Sequence, residues 1–229
     1  MATRVQVVAM VAIDHPLITE AVAGLKARGV PIFALLSDFA QGARAAYIGT
    51  NNLRMGRTAA WMLARGMARP AKVALFVGGH RWHGHELRET GFRSYFRQEH
   101  PDVTLIDTQV NLDTPRLAYE AVLSLLARHA DLAGIFCAGG GMEGIIQAIR
   151  DERRAGNPRA ARVDIVVNEL IEVSHHALAD GLVSLVIDTP VTAICQALFT
   201  ASLAALAEGP GEAPRQIFLP PVLILPESL

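Results

Sequence analysis

The chain is short of several things that would have narrowed its chemistry at once. It has two cysteines, Cys137 and Cys195, and no CxxC pair, so neither a disulfide framework, a redox dithiol nor a cysteine-built zinc site is available. Both lie in apolar stretches and are expected to be buried free thiols, a usage that suits a reducing cytoplasm. Charge is also sparse: charged residues make up 19% of the chain, and the formal net charge is −1 with eight histidines counted neutral. Such a balance offers no broad basic face to nucleic acid or to an acidic membrane surface. No apolar run reaches membrane length. The N-terminal one, Val5 to Ile13, is about half of what a span needs. It is Val-rich and leads directly into Asp14-His15-Pro16, which is helix-start chemistry, so it is read as a strand and not as a signal peptide. The cytoplasm is the expected compartment. There is no G-x-S-x-G, no P-loop and no paired-acid pattern, so hydrolysis and phosphoryl transfer have no support. No enzymatic activity and no cofactor are expected.

What is present is a globular composition, 51% hydrophobic over 229 residues, enough for a substantial core. Short apolar runs alternate with amphipathic segments. Strands are predicted at Val5–Ile13, Pro31–Leu36, Ala46–Ile48, Lys72–Val77, Val103–Asp107, Gly134–Cys137, Val163–Val167, Val183–Ile187 and Ile217–Leu219. Helices are predicted near 16–28, 52–68, 85–98, 114–129, 141–155, 170–180 and 190–207. Ala118, Val122, Leu125 and Leu126 show the helical spacing, as do Ile194, Leu198, Ala201 and Ala205. Gly29, Gly66 and Gly156 read as C-terminal stops. This alternation predicts an α/β fold of mostly parallel sheets with helices on both faces. Ligands bind such sheets beyond the carboxyl ends of the strands, so the residues just past each strand carry the functional information.

The strand ends form a polar inventory: Asp14 and His15, then Ser37 and Asp38, then Thr50, Asn51 and Asn52. The fourth strand runs into Gly78-Gly79-His80-Arg81-Trp82-His83-Gly84-His85, with Arg88 in the helix behind it. Later ends carry Gly139-Gly140-Gly141, Asn168-Glu169 and Asp188-Thr189. Each of these could be an ordinary helix cap. Together they supply carboxylates, amides, hydroxyls and one guanidinium, with Trp82 as a stacking face. That mixture suits a polyhydroxylated ligand, whose hydroxyls want both donors and acceptors. Arg88 brings a fixed fork of donors, against the alternative of a solvated arginine paired with Glu86 or Glu89.

Two patterns point elsewhere. Gly139-Gly140-Gly141-Met142-Glu143-Gly144 matches the dinucleotide-binding G-x-G-x-x-G, with Glu169 about where a ribose-binding acid would fall. An NAD(P)-dependent oxidoreductase is therefore an alternative, although Glu143 in the first helical turn would repel a phosphate. His80, His83 and His85 form H-x-x-H-x-H, but no nearby cysteine or carboxylate completes a metal set. No metal site is expected.

The order of the strand ends resembles the ligand-binding core of lactose-repressor-family transcription regulators and of related periplasmic sugar-binding proteins. The resemblance rests on Val30-Pro31-Ile32-Phe33 with Ser37-Asp38, and on Tyr47-Ile48-Gly49-Thr50-Asn51-Asn52 with Gly56-Arg57-Thr58-Ala59. It continues through Arg88-Glu89-Thr90-Gly91-Phe92, Ile135-Phe136-Cys137-Ala138-Gly139, Val166-Val167-Asn168-Glu169-Leu170 and Val186-Ile187-Asp188-Thr189. It implies a ligand-sensing domain that binds a sugar-like molecule in a cleft between two Rossmann-like lobes. A sugar-binding transport protein is the alternative within the same resemblance. Arg88 and Glu169 would grip hydroxyls, Ser37, Asp38, Thr50 and Asn52 would line the first lobe, and Thr189 the hinge. Asp14, His15, Trp82, Gly139 and Asn168 complete the expected set. Gly139 and its neighbours replace an amide–acid pair of the family, Asn168 an aromatic or His, and Thr189 a Gln or Asn. The resemblance also implies a homodimer, with operator DNA reached only through an N-terminal helix-turn-helix. That helix-turn-helix and a first β-α-β-α stretch have no counterpart here, because Val5 begins near the family's third strand. The lobes are expected as 1–70 plus 190–212, an incomplete first lobe, and 71–189 plus 213–229, joined by crossover hinge strands.

Overall fold

A computed structural model describes residues 5–79, 81–208 and 215–229. His80, the first histidine of the H-x-x-H-x-H pattern, lies outside them. The chain begins β1 (Val8–Met10), α1 (Pro16–Ala27), β2 (Ile32–Leu35), β3 (Ala46–Thr50), α2 (Asn52–Gly66), β4 (Ala71–Val77) and α3 (His83–Glu99). It continues β5 (Val103–Leu105), β6 (Gln109–Val110), α4 (Pro115–Arg128), β7 (Leu132–Cys137), α5 (Met142–Arg154), β8 (Asp164–Asn168) and α6 (Glu172–Ala179). It ends with β9 (Leu185–Asp188), α7 (Val191–Glu208), β10 (Arg215–Leu219) and β11 (Val222–Ile224). This is the α/β fold with mainly parallel sheets that the alternation predicts.

The residues form two compact units. The first contains Met1–Asn51, Arg81–Gly84 and Thr189–Pro221. Its four strands run parallel in the order β1-β2-β3-β10. One face of the sheet packs on α1 through Val8, Met10, Ile18, Val22 and Leu25. The other packs on α7 through Phe33, Ile48, Ile194, Leu198 and Ala201. Side chains alternate across a strand, so neighbouring residues serve opposite layers: Val7 faces α7 and Val8 faces α1.

The second unit contains Asn52–His80, His85–Asp188 and Val222–Leu229. Its sheet runs β11-β9-β8-β7-β4-β5, with β6 also on β4. Every pairing is parallel except β11 on β9. Val73, Leu75 and Val77 of β4 pack under α2 and α3, while Ala74 and Phe76 pack under α4 and α5. Burial on both faces is why these strands read as unbroken apolar runs. Helices α2 and α3 cross at two glycines. A Cβ on Gly56 would lie 1.9 Å from the Arg88 carbonyl oxygen, and one on Gly91 would lie 2.0 Å from that of Leu53.

Several details depart from the sequence reading. That reading groups residues 52–70 with the first lobe, but Met55, Ala59 and Leu63 of α2 pack on the second unit's sheet. Strand β10 pairs with β3 in the first unit, and Pro220-Pro221 separates it from β11, which crosses to β9 in the second. The short strands β6 and β11 have no signature in the sequence, because two or three residues are too few to show a period. Cys137 is buried as expected, but Cys195 is exposed on the outward side of α7.

Candidate functional site

Each unit presents its polar residues at the carboxyl ends of its strands, and the backbone there is strained. Leu36 after β2, Leu112 and Asp113 after β6, and Glu169 after β8 all have φ between +53° and +70°. Non-glycine residues adopt that region at a cost, and such strain clusters at ligand sites.

In the first unit most of the expected residues have structural partners. The Asp38 carboxylate takes two hydrogen bonds from Arg44, at 2.5 and 2.7 Å, and one from the Phe39 amide. Arg44, buried with it, also donates to the Arg215 carbonyl oxygen at 2.9 Å and so ties the loop to β10. A buried carboxylate needs such pairing, and this one is occupied by it. Asp14 accepts from the Ala40 amide at 3.1 Å, and His15 caps α1 by accepting from the Leu17 amide at 3.2 Å. The Ser37 hydroxyl accepts from the Gly84 amide at 3.2 Å, which anchors the short segment carrying half-buried Trp82. The Tyr47 hydroxyl lies 3.1 Å from the Leu36 carbonyl oxygen and 2.9 Å from that of Thr50, bracing both strand ends. The Thr189 carbonyl accepts from the Val191 amide at 2.8 Å where α7 begins.

In the second unit the strand ends of β4, β7 and β8 bring several expected residues into one network. Arg88 donates through Nε to Asn52 at 2.7 Å and through a terminal nitrogen to the Ala138 carbonyl oxygen at 2.7 Å. One guanidinium therefore links α3, the start of α2 and the end of β7. The alternative pairing with Glu86 or Glu89 is not the arrangement of these two nitrogens. Asn168 is only 3% exposed. Its amide nitrogen donates to the Cys137 carbonyl oxygen at 3.0 Å, and its Oδ1 has no partner among the described residues. Glu169 comes next, exposed, with its backbone held by Ile187 and Ser174.

The glycine run is built around a carboxylate. The Gly140 amide donates to Asp113 Oδ1 at 2.7 Å, and Asn111 donates to the Gly140 carbonyl oxygen at 2.8 Å. A Cβ on Gly78, Gly139 or Gly140 would approach Asp113 side-chain atoms within 2.0 to 3.0 Å, so side chains are excluded where the Asp113 loop crosses. An anion already sits on the loop where the dinucleotide reading needs a pyrophosphate. The motif's spacing thus has a different cause, close passage of the loop after β6.

His85 stacks against Gly139, its Nδ1 unpartnered among the described residues. Burial, and after it the Arg88 charge, lowers its pKa to about 4, so it is neutral at pH 7. Burial likewise pushes the Cys137 thiol up to about 12, which leaves it protonated and unreactive. Among the described residues no group of three histidine, cysteine or acidic side chains could hold a metal ion, and no helix is long and apolar enough to cross a membrane. Sequence reasoning misses Asp113 and gives His85 no role at the site. The signal for Asp113 is Asn111-Leu112-Asp113-Thr114 ahead of a helix, illegible because β6 itself is illegible.

Solved structures share this fold along the whole chain. A solute-binding protein of an ABC transporter from Burkholderia graminis, in complex with D-arabinose, superposes with a TM-score of 0.87 at 19% identity, over 99% of this chain and 77% of its own. GanP, a glucose-galactose binding protein from Geobacillus stearothermophilus, gives 0.86 at 18%, over 100% and 79%. A solute-binding protein from Agrobacterium vitis bound with α-D-tagatopyranose gives 0.84 at 21%, over 99% and 77%. No match was found among curated protein sequences. The family described as periplasmic binding protein domain matches residues 1–210, nearly the whole chain, and to that family the chain belongs.

Proposed function

We propose that the chain binds a small neutral sugar at the carboxyl ends of the second unit's strands and serves as a binding component for uptake. The observation that carries this reading is the Asn168 amide. A buried oxygen without a donor costs about 1–3 kcal/mol, and a ligand hydroxyl removes that cost. Arg88, whose own carbonyl backs onto Gly56, is held as a rigid fork, and Glu169 supplies an acceptor on a strained backbone. The strand ends of this unit carry two carboxylates, Asp113 and Glu169, against the one guanidinium of Arg88, a balance that disfavours an anionic ligand, so sugar acids and nucleotides fit less well than neutral sugars.

The resemblance to regulators rests on motif order alone. The similar structures named above are sugar-binding proteins, two of them parts of ABC transporters, and this favours carriage of the sugar over transcriptional control. Binding without turnover also suits a site whose nearest thiol stays protonated.

The test is isothermal titration with D-arabinose, D-tagatose, D-allose, D-galactose, D-galacturonate and NAD. A neutral monosaccharide is expected to bind, and Asn168→Leu to weaken it about 10- to 100-fold, the worth of a lost hydrogen bond to a buried group. Binding of NAD, or of no neutral sugar at all, overturns the reading.

A further inference from the structure

The chain is nearly neutral as a whole but not along its length. From Phe39 to His85 there is no aspartate or glutamate, while seven lysines and arginines fall in that stretch. Helix α2 lies inside it, and its solvent side carries the imbalance. Leu53, Arg54, Trp61 and Arg65 are exposed there and Arg57 is half-buried. At 100° per residue these five share an arc of about 120°. Met55, Ala59 and Leu63, on the opposite side, pack on the sheet of the second unit.

Helix stability does not explain this face. Neighbouring helices settle charge within themselves, Arg93 on Glu89 in α3 and Arg116 on Glu120 in α4. Three and four residues from Arg57 stand Leu53, Arg54, Ala60 and Trp61, and from Arg65 stand Trp61, Met62, Ala68 and Arg69. None of them is acidic, and two are like charges. Arg54 stands in the first turn, the end at which the helix dipole disfavours a cation. Aromatic rings hold the guanidinium groups instead. Arg65 lies 4.9 Å from the centre of the Trp61 ring, and Arg57 lies 5.4 Å from that of Tyr95 on α3. The carboxylates at the margin, Glu99 by Arg57 and Asp102 by Arg69, stand off at 4.0 Å and are about half exposed, so they neutralise little. Arg65 has the Trp61 ring and no carboxylate partner among the described residues.

We propose that this face of α2 docks an acidic partner protein, one that offers carboxylates beside an apolar side chain. Tryptophan and arginine are the residues that carry most of the energy at protein interfaces, and here Trp61 is 46% exposed with Arg65 lying against it. The rings keep the guanidinium forks ordered before contact, so little freedom is lost when a carboxylate pairs with them. Charge complementarity sets the sign of the partner, since every charged side chain in the exposed arc is an arginine. A bilayer suits the face less well, because Leu53 and Trp61 are its exposed large apolar side chains and they are too few to enter acyl chains. Nucleic acid suits it less well too. Arg54, Arg57 and Arg65 lie along about 18 Å of helix and reach too few phosphates to hold at physiological salt. So short a face makes a transient contact, at the small end of specific interfaces.

Fluorescence anisotropy tests the proposal with a labelled 12-residue peptide that repeats Asp-Phe-Glu-Glu. The full chain is expected to bind it with a Kd of about 10–100 μM at low salt, and at least 10-fold more weakly in 300 mM NaCl. Trp61→Ala and Arg65→Glu should each weaken it at least 10-fold. Arg154→Glu, the same charge change at the exposed end of α5, should leave it unchanged. Sugar titrations should be the same in all three variants. If Arg65→Glu lowers Tm, Arg65→Gln replaces it with the same expectation. No binding of the peptide, or equal weakening by Arg154→Glu, overturns the proposal. So does tighter binding of phosphatidylglycerol vesicles or of a 12-nucleotide single strand that is lost in the same variants, which would assign the face to a membrane or to nucleic acid.

Discussion

His85 shows how burial turns a common residue into a pH-dependent one. Its folded pKa of about 4 lies below the ordinary value of 6.5, so between those values the unfolded chain binds a proton that the folded chain refuses. Stability from this group is fully present above pH 6.5 and is lost as the pH falls toward 4. At about 1.4 kcal/mol per pKa unit the loss is at most about 3 kcal/mol. Urea unfolding of the native chain and of His85→Gln at pH 7.5 and 4.5 should show the native chain losing more, by about 1–3 kcal/mol, than the variant. Equal losses would mean that the ring is hydrated and titrates normally. Cys137 gives a companion expectation. With its thiol pushed up to about 12, it should resist a thiol reagent at pH 8 until the chain is unfolded, which counting labelled thiols by mass would check.

Among the elements, the α2–α3 crossing is the least tolerant contact, because backbone meets backbone there. Gly56→Ala places a methyl group 1.9 Å from the Arg88 carbonyl oxygen, and no rotamer change can relieve that. The helices must part, at a cost of about 3 kcal/mol, lowering Tm by about 6–12 °C in a scanning calorimeter. Both Gly56 and Gly91 stand out in the sequence as parts of motifs, yet nothing there says that they face each other, since spacing along a chain does not reveal which helices cross. The same division runs through the fold. The seven helices of the described residues are legible within a few residues, because Ala118-Val122-Leu125 and similar sets carry the helical period across several turns. The strands buried on both faces are legible as apolar runs. Strands β6 and β11 are not, being pairings made by whatever short segment passes a sheet edge. At the site, Arg88 and Asn168 stand out by position after a strand, whereas Asp38 looks identical to a ligand acceptor until its partner Arg44 is visible.

For the whole molecule, the C-terminal passage beyond Pro220-Pro221 sets a further expectation. Strand β11 completes one edge of the second unit's sheet by pairing Val222, Leu223 and Ile224 with Asp188, Ile187 and Val186. A chain ending at Pro221 leaves that edge of β9 bare. The loss of two or three net hydrogen bonds costs on the order of 2 kcal/mol. Hydrogen exchange read by mass spectrometry should show faster exchange over Leu185–Asp188 in the shortened chain, with β4 and β7 at the sheet's centre unchanged. Uniform acceleration across the sheet would mean that β11 supports the unit globally.

The return of the chain to its first unit also has a consequence for synthesis on the ribosome. Strand β3 is finished at Thr50, but its neighbour β10 does not begin until Arg215. At about 5–20 residues per second the growing chain spends roughly 10–30 s with a three-stranded sheet whose apolar face still awaits α7. The second unit can assemble β4, β7 and β8 during that interval. The molecule therefore finishes in the order opposite to its sequence, the middle before the beginning. For those seconds β1, β2 and β3 depend on whatever shields nascent apolar surface in the cell.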